Sequence, residues 1–290
     1  MKLWENRVFG FFMLLFVYAI AIAGGVVVYL YLPLAASLFW LKLLIADVVA
    51  TIITFIYSLL FGNASVYDPY WSVQPIVIVI AFAVKAPTLG AAQILPMIAI
   101  CIWGIRLTAN WAYTFHGLTH QDWRYTQLHD TTGKWYFFVN FLGIHLVPTL
   151  IVYGCTLPAV YTLVYAPTFN AGSAVFFVVS LVAVLLQGTA DFQMHSFRKK
   201  NKKKGAFIRT GLWKYSRHPN YLGEILMWWG IALAFVCIMP ERWYLIAGAF
   251  ANTLLFLFVS IPMADKRQSR KPGFAEYKKE TWMLLPFKKK

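Results

Sequence analysis

The sequence predicts an all-α fold: a polytopic membrane helix bundle of seven or eight transmembrane helices. Of the 290 residues, 60% are hydrophobic and only 13% are charged, against roughly 45–50% and about 25% in a soluble domain. The apolar residues fall into runs, most of which reach the ~20 residues needed to cross the hydrocarbon core. The net charge is +15, and much of it gathers in two basic stretches that flank runs.

The runs cover about 9–34, 36–61, 73–84, 88–108, 136–165, 172–190, 222–240 and 243–264. The first follows MKLWENRVFG and is too long for a secretory leader, so it reads as a span. The third is short and bounded by Pro75, Lys85 and Pro87. It reads as a half-span or as part of a kinked helix with the fourth, which is why the count is seven or eight. The last two are separated from the sixth by a basic loop. Nine Lys or Arg and no acid lie from His195 through Arg217, Arg217 included, and another nine follow Ala264 with three acids against them. By the positive-inside rule, loop 195–217 and the C-terminal tail both face the cytoplasm. The two runs between them form a hairpin that returns the chain to that side. Lys199, Lys200, Lys202, Lys203 and Lys204 read as solvated or lipid-facing charges, and Arg198 and Arg217 as better ligand candidates. Nucleic-acid binding is excluded because the basic stretches flank spans. The whole chain, 1–290, reads as one integral membrane domain, with 1–110 as the substrate side.

Three cysteines, all in apolar runs, show no paired spacing. His116 and His120 are four apart but lack any zinc-site context, so no metal is expected. Lys288–Lys290 do not fit a strict dilysine address. Nothing in the sequence sets an oligomeric state.

Four polar constellations stand out. In GLWKYSRHPNYLGEILMWWG, Pro219 belongs at the first turn of a helix capped by His218, because its missing N–H costs nothing there. Asn220 and Glu224 then share one face, and Arg217 and Tyr221 an adjacent one. The N–H groups of that turn form a seat for a phosphate. Gln187, Asp191, His195 and Arg198 step by four, four and three along one helical stripe that leaves the membrane at the basic loop. A carboxylate at Asp191 needs a partner or a polar cavity. Trp103, Arg106, Asn110 and Tyr113 form a third stripe. In NASVYDPYWSVQP, Asp68 sits in a turn among aromatics, the single acid between Asp47 and Asp122. That makes it a candidate proton donor.

These residues carry a resemblance. SRHPNYLGE followed by WWG resembles the C-terminal signature of the steroid 5α-reductase-like membrane family, in its broad, mostly uncharacterised branch. Further elements of that branch are matched by Ser65 to Ser72, Arg106 to Trp111, Gln121 to Tyr125 in part, Ala190 to Gln193, and Tyr277 to Pro286. The resemblance implies a seven-helix reductase that binds NADPH among its C-terminal helices and cytosolic loops, here within 136–290. It places the cofactor-contacting groups on Asp191, Arg198, Arg217, Asn220, Tyr221, Glu224 and Tyr277, with His218 beside them and Gln187 where the steroid reductases carry an asparagine. The Gln–Glu pair that engages the steroid ketone is not recognisable, and Trp103 stands in place of the assisting tyrosine, so a steroid substrate does not follow.

No Gly–x–Gly–x–x–Gly follows a strand, so a nucleotide would have to be held by arginines and a helix start. The implied chemistry is hydride delivery to a polarised carbon, with Asp68, Tyr67, Arg106 and Asn110 as the catalytic candidates. The substrate is expected to be lipophilic, sharing an apolar cavity within membrane lipid. The membrane is the endoplasmic reticulum in a eukaryote or the inner membrane in a bacterium. Two other readings stay open. One is an isoprenylcysteine-type methyltransferase using S-adenosylmethionine, which shares an Arg–His–Pro–x–Tyr–x–Gly motif. The other is a non-catalytic lipid-binding membrane protein.

Overall fold

The computed structural model describes residues 3–201, 203 and 205–287. Lys202 and Lys204, read above as solvated charges, and Lys288–Lys290, which do not fit a strict dilysine address, lie outside the described residues, as do Met1 and Lys2. The chain is helical: α1 Arg7–Tyr31, α2 Phe39–Leu60, α3 Tyr70–Ala83, α4 Ala91–Thr114, α5 Trp123–Thr132, α6 Tyr136–Phe138, α7 Val147–Tyr165, α8 Ala171–Lys200, α9 Pro219–Ile238, α10 Ala247–Leu255, α11 Ile261–Gln268 and α12 Phe274–Glu280. Short 3-10 and π-helical turns join several of them. Among the described residues, eight helical stretches are long and apolar enough to cross a membrane. This is a multi-pass integral membrane protein. The ambiguous run 73–84 belongs to one of the eight, Ala64–Ala83, because a 3-10 turn at Ala64–Tyr67 leads directly into α3. The stretch Trp123–Tyr165 has 43 residues. At 1.5 Å per residue that is about twice the ~30 Å hydrocarbon core. Its polar opening helix, α5, ends at Gly133 with φ 50°, so only the later part crosses.

The helices fall into two compact units. The first comprises Met1–Ile78 and Gly104–Leu157. Asn6 caps α1, its side chain accepting from the Val8 and Phe9 N–H groups. Leu14, Val17, Tyr18 and Ala21 of α1 then pack on Ala50 of α2 and on Val66, Tyr67 and Tyr70. The Tyr18 hydroxyl donates to Val66 O at 2.6 Å, so this aromatic core is also tied by a polar bond.

The second unit comprises Val79–Trp103 and Pro158–Lys290. Its centre is the α8–α9 hairpin. A Cβ on Gly223 would lie 2.7 Å from Ala183 O, and one on Gly230 would lie 2.8 Å from Phe176 O. These two positions are two turns apart and allow backbone to touch backbone, the way membrane helices associate without a hydrophobic driving force. Asn170 and Ser173 form a capping box at the start of α8, and Asn170 Nδ2 also donates to Cys237 O at 2.6 Å. As expected, α9 begins at Pro219 with His218 as the N-cap.

Candidate functional site

In the second unit, close approach of α8 and α9 aligns the polar residues of both. Asn220 Nδ2 donates to Asp191 Oδ1 at 3.1 Å. One turn deeper, Gln187 Nε2 donates to Glu224 Oε2. Glu224 is 1% exposed, and its carboxylate also accepts the Trp103 indole N–H at 2.8 Å and the Trp228 indole N–H at 2.9 Å. Three neutral donors therefore meet a carboxylate in an apolar core, the condition under which such a charge can be buried. Gln187 Oε1 is buried and has no hydrogen-bond partner.

A second cluster lies around Asp265. His218 Nε2 is 2.9 Å from Asp265 Oδ1, Arg217 Nη2 3.5 Å from Oδ2 and Lys278 Nζ 3.6 Å from Oδ2. Arg217 gives Nη1 to Thr281 O at 2.7 Å and to Lys278 O at 3.3 Å. The Tyr277 hydroxyl donates to Trp213 O. Burial pushes that phenol up to about 12, so it remains a donor through the physiological range. Trp282 bridges to the loop on both sides: its N–H donates to Tyr215 O at 3.2 Å and its carbonyl accepts the Arg217 N–H at 3.0 Å. The tail is thus strapped to loop 205–217. Lys271 joins it through Nζ to Ala206 O at 3.0 Å; burial, with Arg267 and Arg198 nearby, holds that ammonium below its ordinary range.

The nine residues expected at a cofactor therefore separate. Gln187, Asp191, Asn220 and Glu224 form one wall. Arg217, His218 and Tyr277 are buried: Arg217 is turned to the tail carbonyls and Asp265, His218 to Asp265, and the Tyr277 hydroxyl to Trp213 O of the loop. Tyr221 is stacked on His218, with centroids 5.2 Å apart and planes 6° apart. Arg198 stands exposed near the end of α8. The first turn of α9 offers less to an anion than a bare helix start, since the Tyr221 N–H goes to Asn220 Oδ1 and the Leu222 N–H to His218 O.

In the first unit, Asn63 caps the turn at Ala64–Tyr67 by accepting from the Ser65 N–H. Asp68 accepts the Tyr125 hydroxyl at 2.6 Å. The Tyr67 hydroxyl is 2.8 Å from Thr149 Oγ1. Thr149 donates to His145 O at 2.9 Å, so Tyr67 is the donor in that pair. Arg106 and Asn110 lie one turn apart on α4, both half-buried. The Tyr67 hydroxyl goes to Thr149, and Asp68 is held by Tyr125 and by the Ser65 side chain.

The family model described as "Protein of unknown function (DUF1295)" matches residues 54–281. The chain belongs to the DUF1295 family. It is also similar to two proteins named 3-oxo-5-alpha-steroid 4-dehydrogenase 1. The bovine protein is 30% identical over 122 residues, 42% of each chain. The Macaca fascicularis protein is 31% identical over 107 residues, 37% of this chain and 38% of the relative. The chain thus matches about two fifths of the length of these curated relatives. No solved structure matches at a significant level. The resemblance to the steroid 5α-reductase-like family is borne out at the level of family.

Within this DUF1295 chain, several partners escape a reading of motifs. Trp103 and Trp228 at Glu224, Thr281 at Arg217 and Asp265 at His218 are set by packing. One group had a signal: Asp47 is the single acid in the run 36–61. It is buried, takes a hydrogen bond from Tyr70 at 3.3 Å and is paired with Gln74.

Proposed function

We propose that this DUF1295 protein is a membrane-embedded, NADPH-dependent reductase that adds hydride to a C=C bond of a lipophilic, enone- or steroid-like substrate. The observation that carries the reading is the wall of Gln187, Asp191, Asn220 and Glu224, where motif residues from two helices meet. The names of the relatives point to the same class of chemistry.

The wall suits a nicotinamide group. Gln187 Oε1 is a buried acceptor without a donor, and a carboxamide N–H supplies one. Asp191 and Asn220 present acceptor and donor groups for ribose hydroxyls. Arg198 is the arginine of the set left exposed for a phosphate. When bound, the cofactor supplies the hydride. In the first unit, Asp68 is the proton source; Arg106 and Asn110 are candidates to orient the substrate, and Tyr67 helps fix the turn that carries Asp68. A hydride from the bound cofactor and a proton from Asp68 would together convert the C=C π bond into two C–H bonds, with Asp68 left as a carboxylate. Loop 195–217 and the tail after Ala264 face the cytoplasm, where NADPH is drawn from solution.

Binding to the purified chain in detergent tests the reading. NADPH should bind and S-adenosylmethionine should not. Arg198→Ala should weaken NADPH roughly ten-fold or more, as for a lost charge-assisted bond. Lys203→Ala should change it little, since an exposed charge in a basic loop contributes weakly. Binding of S-adenosylmethionine in place of NADPH would favour the methyltransferase reading.

A further inference from the structure

Two motifs distant in sequence interlock residue by residue in the first unit. The Ala64 N–H donates to Gln121 Oε1 at 2.9 Å. The Asp122 N–H donates to Ser65 Oγ at 2.8 Å. The Tyr125 hydroxyl donates to Asp68 Oδ1 at 2.6 Å. Asn63 Nδ2 adds a bond to His120 O at 3.1 Å. On the α5 side, Asp122 caps its own helix by accepting the Arg124 N–H and is paired with Arg124 Nε at 2.8 Å. Segment 118–125 is therefore a rigid frame built around the turn that carries Asp68, and its last contact is to the acid itself.

From this geometry we propose that Tyr125 is a positioning residue for Asp68. The inference rests on the reductase reading above. Tyr125 fixes the rotamer of the carboxyl by holding Oδ1, with the Ser65 side chain also at the carboxyl, and we assign the proton to Oδ2. As one carbon of the C=C receives hydride, the other takes the proton from Oδ2. The π electron pair becomes the second C–H bond, and Asp68 is left as a carboxylate. The Tyr125 O–H then faces a full negative charge, so its hydrogen bond strengthens as the proton leaves. An interaction stronger after proton transfer than before it lowers the barrier. A tyrosine in this place thus serves the reaction as well as the fold.

The test uses the full chain in detergent, with dicyclohexylcarbodiimide as a lipophilic probe of neutral carboxyls and 4-cholesten-3-one plus NADPH as the enone assay. Tyr125→Phe removes the donor that favours the ionised form. It should raise carbodiimide labelling of Asp68 several-fold, with Asp68→Asn abolishing the labelled peptide. It should also lower turnover roughly ten- to a hundred-fold at near-constant KM, and adding Asp68→Asn should cost nothing beyond Asp68→Asn alone. Gln121→Ala is the structural control: it breaks the frame contact to the Ala64 N–H and should lower the melting temperature without raising Asp68 labelling. Unchanged labelling in Tyr125→Phe, or losses that multiply in the double variant, would overturn the inference. A several-fold rise in labelling on Tyr125→Phe, found together with a wild-type protein that neither binds NADPH nor reduces the enone, sinks the reductase reading and leaves the Tyr125–Asp68 pairing in place.

Discussion

Glu224 shows how one side chain answers for both fold and function. Its oxygens accept N–H groups from Trp103, Trp228 and Gln187. The sequence placed Glu224 on one helix face with Asn220, but nothing in it paired Glu224 with Trp103, which lies 121 residues away. Arg217 is the opposite case. Its charge and its place next to a helix start suggested a phosphate, and the structure gives its guanidinium to tail carbonyls. A local motif reports which residues gather at a point, while packing decides which way each one turns. Glu224→Gln puts an amide N–H among donors, and an unpaired buried donor costs roughly 1–3 kcal/mol. We expect a lowered melting temperature together with weakened NADPH binding, read on one preparation. An unchanged NADPH affinity with a lowered melting point would assign Glu224 to stability alone.

At the scale of the element, the helix pair α8–α9 was the most legible part of the chain. A single helix, Ala171–Lys200, carries the whole stripe Gln187, Asp191, His195 and Arg198, as the four, four, three spacing required. The start of α9 at Pro219 was equally plain, because proline chemistry at a helix start is local. The turn before α3 was harder. A short apolar run bounded by prolines fits several backbones, and tertiary contacts from segment 118–125 choose among them. The close packing of α8 on α9 gives a prediction. Gly230→Ala would push a methyl against Phe176 O and against the Ser180 backbone N, 2.9 Å away. Overpacking of this kind costs about 1–3 kcal/mol. The variant should melt lower and bind NADPH more weakly, because the helices that hold Gln187 against Glu224 must separate. A thermal-shift series with and without NADPH measures both effects.

At the scale of the whole molecule, composition alone was enough for the class. An apolar content of 60% with charges held outside the runs leaves little but a membrane bundle. Sidedness is the matching expectation. Cysteines introduced at Lys203 and Lys279 should react with an impermeant maleimide from one face of a sealed vesicle, the cytoplasmic one, because both positions lie in basic segments beside spans. Labelling from opposite faces would contradict the hairpin between them.

The strap between the tail and loop 205–217 has a consequence for biosynthesis. Spans enter the membrane in order as the chain is made, but the carbonyls of Lys278 and Thr281 and the Tyr277 hydroxyl that hold Arg217 and Trp213 come late. Until they leave the ribosome, the loop beside the proposed cofactor wall keeps its bonds to α8, from the Leu212 N–H to Gln193 Oε1 and from the Trp213 indole N–H to Ala190 O, but lacks those to the tail. Closure of that loop therefore waits on segment 277–282, and bulk placed within that segment would compete with the contacts that complete it.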